Sequence, residues 1–367
     1  MSCEFWGECG GCSLPLSYED QLKQKIESFE TLNIGRATKI FESPKEGFRS
    51  RAEFKIFRDD SGLHLAMFAG KKPVVIANCP ILLPHLQEKL QELMSYLGNH
   101  LDFAHKLFSL EVMGGVEGGC LLTLIYHRRL DALWEEEARA LAQSLGIQLI
   151  GRSRGQKIIL GGEGLEDRVC VDGQDYRFLR YDNGFSQPNP YMNVKMLGFA
   201  LSCVREREAR DLLELYCGGG NFTIPLSRAF NQVFATELAK SSIKALNHNL
   251  DLNRVENVSC VRLSGKESIE ALSEVREFRR LKGINLADYE FSHLLVDPPR
   301  SGIGDREMLN FMRRFPNILY ISCNPLTLKK DLEILEQTHS IQRLALFDQF
   351  PYTHHLECGV WLEGKEA

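Results

Sequence analysis

Ile-Ser-Cys-Asn-Pro at residues 321–325 ends an apolar run on a cysteine, Cys323, which the following Asn-Pro turn holds at the mouth of a strand. A thiol there can act as a nucleophile or simply pack, and composition alone does not separate the two. A second constellation, Val-Asp-Pro-Pro-Arg at 296–300, stiffens a loop with two prolines and keeps Asp297 and Arg300 on display. A third, Tyr-Cys-Gly-Gly-Gly-Asn-Phe at 216–222, places Gly218 and Gly220 directly after a short apolar strand, where a ligand can approach the backbone. Glu237 follows Gly218 by 19 residues and ends the next strand, where a carboxylate can accept from both ribose hydroxyls or else face a helix N-terminus. Thr223 stands where a dinucleotide fingerprint would need a third glycine, so the pattern suits an adenosyl ligand without a pyrophosphate, such as S-adenosylmethionine. A separate group, Cys3-x5-Cys9-x2-Cys12 with the remote Cys79, has the three-plus-one spacing of a 4Fe-4S cluster, zinc being the alternative.

The elements that must position these residues change rhythm along the chain. From about Arg210, short apolar strands (212–216, 233–236, 258–263, 293–296 and 318–322) alternate with amphipathic stretches, which implies a doubly wound parallel sheet with ligands at the carboxyl ends of its strands. Before residue 180 the pattern is α+β, with helical stretches near 18–33, 83–97 and 131–145. We therefore expect two regions, 1–180 and 181–367. In Arg51–Arg58 the apolar residues Ala52, Phe54 and Ile56 alternate with charged ones, as a strand with one charged face requires.

Composition narrows the class. The chain of 367 residues is 44% hydrophobic and 25% charged, an ordinary globular balance. No apolar stretch reaches the roughly 20 residues of a membrane span. No basic, apolar leader opens the chain, so a cytoplasmic protein is expected. Eleven cysteines fit a reducing compartment better than a disulfide framework. With 44 basic against 49 acidic residues, binding to a polyanion must rely on a local patch, for which Lys45–Arg58 and the Arg152, Arg154, Lys157 group are candidates.

Tyr-Cys-Gly-Gly-Gly-Asn-Phe, Asp-Pro-Pro-Arg-Ser-Gly (297–302), Ser-Cys-Asn-Pro (322–325) and Phe-Pro-Tyr-Thr-His-His-Leu-Glu-Cys-Gly-Val (350–360) together resemble the S-adenosylmethionine-dependent RNA uracil-5-methyltransferases. Arg-Ala-Glu-Phe at 51–54, His-Lys-Leu-Phe at 105–108, Leu-Ile-Gly-Arg at 149–152 and Val-Arg-Glu-Phe at 275–278 are similar to the bacterial tRNA-modifying branch, so the likeness covers nearly the whole chain. It implies a Rossmann-like class I methyltransferase domain preceded by an α+β RNA-binding domain, and methylation of the T-loop uridine of tRNA. A 23S rRNA enzyme is the alternative, and a non-catalytic RNA chaperone a more distant one. No membrane and no obligate protein partner are implied.

The resemblance assigns Cys323 as the nucleophile that adds to carbon 6 of uracil and Glu357 as the base that removes the carbon 5 proton, with Asp297 and Arg300 orienting the base edge. It places Gln187, Tyr216, Gly218, Asn221, Glu237 and Asp297 on the cofactor. Arg49, Arg51, Lys55, Phe108 and Phe185 are expected to contact RNA, whose target base must be turned out of its stack. The cysteines 3, 9, 12 and 79 are similar to the cluster leader of the ribosomal branch, a departure from the tRNA pattern. His354 and His355 are not read as metal ligands, because neighbours on an extended segment point apart.

Overall fold

The computed structural model describes residues 3–70, 72–205 and 207–365. Two large sheets carry the chain. The larger has eight strands, in the spatial order Lys39–Phe41, His339–Phe347, Glu357–Gly364, Asn317–Ser322, Phe291–Val296, Asp211–Leu215, Gln232–Glu237, Val258–Arg262. The five strands from 211 to 322 run parallel, and Glu357–Gly364 lies antiparallel between Asn317–Ser322 and His339–Phe347. These five strands match those expected from the sequence to within two residues, because four are short apolar runs buried on both faces and the fifth, the half-buried edge strand Val258–Arg262, keeps an apolar alternation. Strand order reverses beside Asp211–Leu215, whose neighbours are Gln232–Glu237 and Phe291–Val296. The crevice for a ligand opens there, at the carboxyl ends.

The second sheet has seven strands, from Lys72–Val75 through Gly62–Ala69, Arg51–Asp59, Leu107–Gly115, Gly118–Tyr126 and Gln148–Ser153 to Gln156–Leu160. Helices Pro84–Asn99 and Ala132–Leu145 cover one face, burying Leu86, Leu90, Leu93 and Trp134 against Phe54, Leu110 and Leu124. The second helix is delimited by its own sequence: Asp131 accepts from Trp134 N at its start, and Gly146 adopts the left-handed conformation at its end.

One boundary differs from expectation. Strand Lys39–Phe41 pairs in parallel with His339–Phe347, and helix Tyr18–Glu30 packs on the same layer, so residues 18–41 build onto the C-terminal sheet rather than the N-terminal one. A three-residue strand gives no period to read, and its partner lies 306 residues away. The join is fixed by a buried ion pair: Lys25 Nζ lies 2.6 Å from Asp348 Oδ1 and also donates to Phe350 O, while Gln21 donates to Asp348 Oδ2 at 3.1 Å. Among the described residues no helix is long and apolar enough to cross a membrane.

Candidate active site

A cavity of about 720 Å³ opens at the carboxyl ends of the parallel strands. Its wall carries every residue expected on the cofactor (Gln187, Tyr216, Gly218, Asn221, Glu237, Asp297) and the expected catalytic set (Cys323, Glu357, Asp297, Arg300). These positions are scattered over 170 residues of sequence. The sheet gathers them because most sit on the turn that follows a strand.

The glycine-rich turn is built for close approach. Tyr216 has φ 62°, a left-handed conformation uncommon for a bulky side chain and held by the packing around it. Gly220 has φ 89°, and a Cβ there would stand 2.4 Å from Leu246 Cδ1. Glu237 closes the turn from the next strand: one oxygen accepts from Gly218 N at 3.1 Å, the other from Leu238 N and Ala239 N at 2.7 and 2.8 Å. Asn221 is held by two reciprocal amide bonds to Asn193, at 2.9 and 2.8 Å, and Gln187 accepts from Gln349 Nε2 at 2.8 Å.

Around the thiol the groups are acidic and dehydrated. Burial pushes the Cys323 thiol up to about 11, assisted by Glu357 and Asp297, while Arg300 pulls it down. Glu357 is 2% exposed; burial, then Asp297, raises its carboxyl to about 8. Asp297 borders the cavity, yet desolvation lifts it to about 7. Beneath them Glu214 is also raised to about 8 by burial, and its Oε2 has no partner among the described residues. A pocket in which several carboxyl groups are dehydrated and only Arg300 brings positive charge is electrostatically suited to a further cation.

Backbone stitching sets the nucleophile candidate's position. Asn324 caps helix Pro325–Leu335 through Leu326 N and donates to Arg300 O at 3.1 Å, coupling the Cys323 turn to the Asp-Pro-Pro-Arg loop. Asp331 on that helix fixes the rest of the loop, accepting from Ile303 N, Gly304 N and Tyr320 Oη at 2.8, 3.0 and 2.6 Å. Arg300 donates to His355 Nδ1 at 3.1 Å. Cys323 and Arg300 also border a second recess of about 330 Å³ against helix Tyr18–Glu30, so the thiol is open from two sides. Sequence reasoning passed over Asn193, Asp331, Asn324 and the pocket-lining Ser264–Gly265 turn. Two carried a signal: Asn324 precedes a proline as a helix cap does, and the Ser264–Gly265 turn follows the third parallel strand and opens a capping box with Glu267.

Family comparison fits this geometry. The family model described as tRNA (Uracil-5-)-methyltransferase matches residues 17–365. The chain belongs to that family. Among curated relatives, a tRNA/tmRNA (uracil-C(5))-methyltransferase from Wolinella succinogenes is 46% identical over 373 residues, covering 100% of both chains. One of the same description from Nitratiruptor is 44% identical, covering 99% of each. The solved Pyrococcus abyssi tRNA (uracil-54, C5)-methyltransferase with S-adenosyl-L-homocysteine shares the fold, with a TM-score of 0.76 at 22% identity over 98% of this chain and 86% of that one.

The residues expected to face RNA divide in this family member. Phe185 is 78% exposed at the cavity mouth, and Phe108 is exposed with Lys55 Nζ 4.7 Å from its ring. Arg51 is used internally: it donates to Gly184 O and, at 2.6 Å, to Asp182 O, tying the N-terminal sheet to the loop at the cavity mouth. Arg49 lies half-buried against Cys79, Cys12 and Cys9. Strand alternation told which residues share a side, but not that another part of the chain would occupy that side.

The four leader cysteines do converge. Cys3, Cys9, Cys12 and Cys79 line one pocket of about 440 Å³ with Arg49. Burial pushes the Cys12 thiol up to about 12, with the other three adding to the shift, and the Cys79 thiol up to about 11. Among the described residues, however, no group of three or more His, Cys, Asp or Glu side chains is arranged to hold a metal ion. The expected ligands thus share a pocket without forming a closed ligand cage.

Proposed function

We propose that the chain is an S-adenosylmethionine-dependent methyltransferase that converts a uridine of tRNA, the T-loop uridine 54, to 5-methyluridine. The observation that carries the reading is the meeting of Cys323, Glu357 and Asp297 in one cavity with the adenosyl-recognition set Gly218, Asn221 and Glu237. The names of the curated relatives and of the Pyrococcus abyssi enzyme support the substrate.

Carbon 5 of uracil is a weak nucleophile until the 5,6 double bond is polarised. In this reading the Cys323 thiolate forms a bond to carbon 6, and the double-bond electrons move to carbon 5 and the carbonyl oxygen. S-adenosylmethionine, when bound, would supply an electrophilic methyl group and a positive charge, its sulfur keeping the electron pair of the broken sulfur–methyl bond as S-adenosylhomocysteine. Carbon 5 takes the methyl group; Glu357 then accepts the carbon 5 proton, the double bond re-forms, and the sulfur of Cys323 leaves carbon 6. Glu357, at about 8, is matched to exchange a proton near neutral pH. The thiol is far from ionised in the ligand-free pocket, and a cation in it opposes the influence of Glu357 and Asp297 on Cys323. Asp297 and Arg300 orient the pyrimidine edge. The chain works in the cytoplasm, where its substrate is made.

The same reading places a 4Fe-4S cluster on Cys3, Cys9, Cys12 and Cys79, with zinc as the alternative; it rests on their shared pocket and on the basic Arg49 that would balance a thiolate-bound group. Its role is to tie the leader to the N-terminal sheet, outside the reaction. Anaerobic purification with iron and zinc analysis tests it: four irons per chain with visible absorbance supports the cluster, and a colourless, iron-free protein rejects it.

The activity is tested by mapping 5-methyluridine in tRNA and 23S rRNA incubated with the protein and labelled S-adenosylmethionine. Label in tRNA at the T-loop is expected. Label confined to ribosomal RNA would reassign the substrate, and none in either would favour an RNA-binding protein.

A further inference from the structure

The face of the seven-stranded sheet opposite its helices leads away from the active site to an arginine cleft. Lys55, Ser109, Ile125, Arg152 and Lys157 are register partners across five strands, one position along from the row Phe54, Leu110, Leu124 and Gly151 that packs under the helices. Alternation therefore turns the first row to the side away from the helices, where Lys55, Arg152 and Lys157 reach solvent while Ser109 stays buried. At one end Arg152 and Lys157 both pair with the buried Asp182, three residues before the exposed Phe185 at the cavity mouth. The ladder also shifts register between Leu107 and Ser109, and Phe108 lies there 41% exposed, stacked on His127 with ring centroids 4.3 Å apart.

Just past that stack, a cleft of about 690 Å³ opens between the segment after Tyr126 and the hairpin turn at Arg154–Gly155. Arg128, Arg129 and Arg154 line it, and no carboxylate does. Arg128 is oriented by bonds to His105 O at 2.9 Å and Asp102 O at 3.3 Å; among the described residues, Arg129 and Arg154 have no ion-pair or hydrogen-bond partner. The walls are fixed to each other, because the Gln156 side chain exchanges two hydrogen bonds with the Leu130 backbone, at 3.0 and 2.7 Å. In a chain of net charge −5, three guanidiniums on a braced cleft whose lining holds no carboxylate are a local anion site.

We propose that this cleft binds backbone phosphates of the substrate RNA at a distance from the methylated uridine, with the Phe108–His127 stack bridging it to the cavity mouth. The proposal rests on the RNA-methylating reading above and adds where the folded RNA is gripped. Arginine forks match phosphodiester oxygens bidentately, and an exposed aromatic plate beside them suits an unstacked base.

The test uses the full chain carrying Arg129→Ala and Arg154→Ala together, with unmodified tRNA binding followed by fluorescence anisotropy over a salt series. Two lost phosphate contacts should make the logarithmic salt slope shallower by about 1.4 to 1.8 and weaken binding roughly tenfold at moderate salt. KM for tRNA should rise in parallel, while kcat at saturating tRNA and the affinity for S-adenosylmethionine stay unchanged. The paired lysine variant should retain most of the slope. An unchanged slope and affinity overturn the cleft even if the native enzyme methylates tRNA. A reduced slope in a protein that places no methyl group on tRNA supports the cleft and refutes the activity.

Discussion

Lys25→Met cuts the tie between helix Tyr18–Glu30 and the segment that leads into Glu357. The side chains of Lys25 and Asp348 are 2% and 0% exposed, and the 2.6 Å contact supplies the only cation paired with Asp348 among the described residues. Methionine keeps the volume but leaves the carboxylate with only the neutral Gln21 and Tyr18 side chains as donors among the described residues, and orphans Phe350 O. Breaking a buried pair from one side costs about 3–5 kcal/mol, a large share of the roughly 5–15 kcal/mol that holds a domain together. At about 3 kcal/mol per molar urea, the unfolding midpoint should fall by roughly 1 to 1.7 M. Lys25→Met/Asp348→Leu should recover most of that loss, because neither charge then remains buried. Urea unfolding followed by far-UV circular dichroism measures both. A single-variant shift under about 0.3 M, or a double variant no better than the single, would refute the claim that this pair holds the loop.

Other expectations follow from the same site. Cys323→Ala should abolish methylation while leaving S-adenosylhomocysteine binding intact by calorimetry. Glu357→Gln should instead trap protein and tRNA as a gel-stable adduct, since addition to carbon 6 no longer ends in proton removal; absence of the adduct would remove Glu357 from the role of base. Glu357, Glu214 and Asp297 are raised to about 8, 8 and 7, so the native state keeps protons that the unfolded chain releases above about pH 4 to 5. Stability of the ligand-free protein should therefore fall as pH rises from about 5 to 8 and level off above, with Glu357→Gln flattening the profile in thermal melts. Gly220→Ala, which sets a methyl group 2.4 Å from Leu246 Cδ1 at a positive φ, should cost about 1–3 kcal/mol and raise KM for S-adenosylmethionine.

What the sequence disclosed and what it hid have a common physical origin. Strands such as Leu212–Leu215 and Ile318–Ser322 are legible because burial on both faces writes an apolar run into consecutive positions, and the site residues are legible because they cluster at the ends of those runs. Alternation puts Arg51 on a side of its strand without naming that side's occupant, here the backbone at 182–184, and Arg49 stands before the alternating run, against the cysteine pocket. Lys25 with Asp348, and Asn193 with Asn221, are couplings between distant positions and leave no local trace. The arginines at 129 and 154 belong to separate turns whose adjacency exists only once Gln148–Ser153 lies beside Gly118–Tyr126.

The small edge strand Lys39–Phe41 constrains how the polypeptide can reach this state. Its partner His339–Phe347 is synthesised some 300 residues later, so the catalytic layer is left with an open border until nearly all of the chain has emerged. The intervening seven-stranded sheet, with its own apolar interior, can consolidate first and act as a splint between the two ends. Refolding should accordingly be biphasic, the late phase reporting closure of a loop longer than most whole domains.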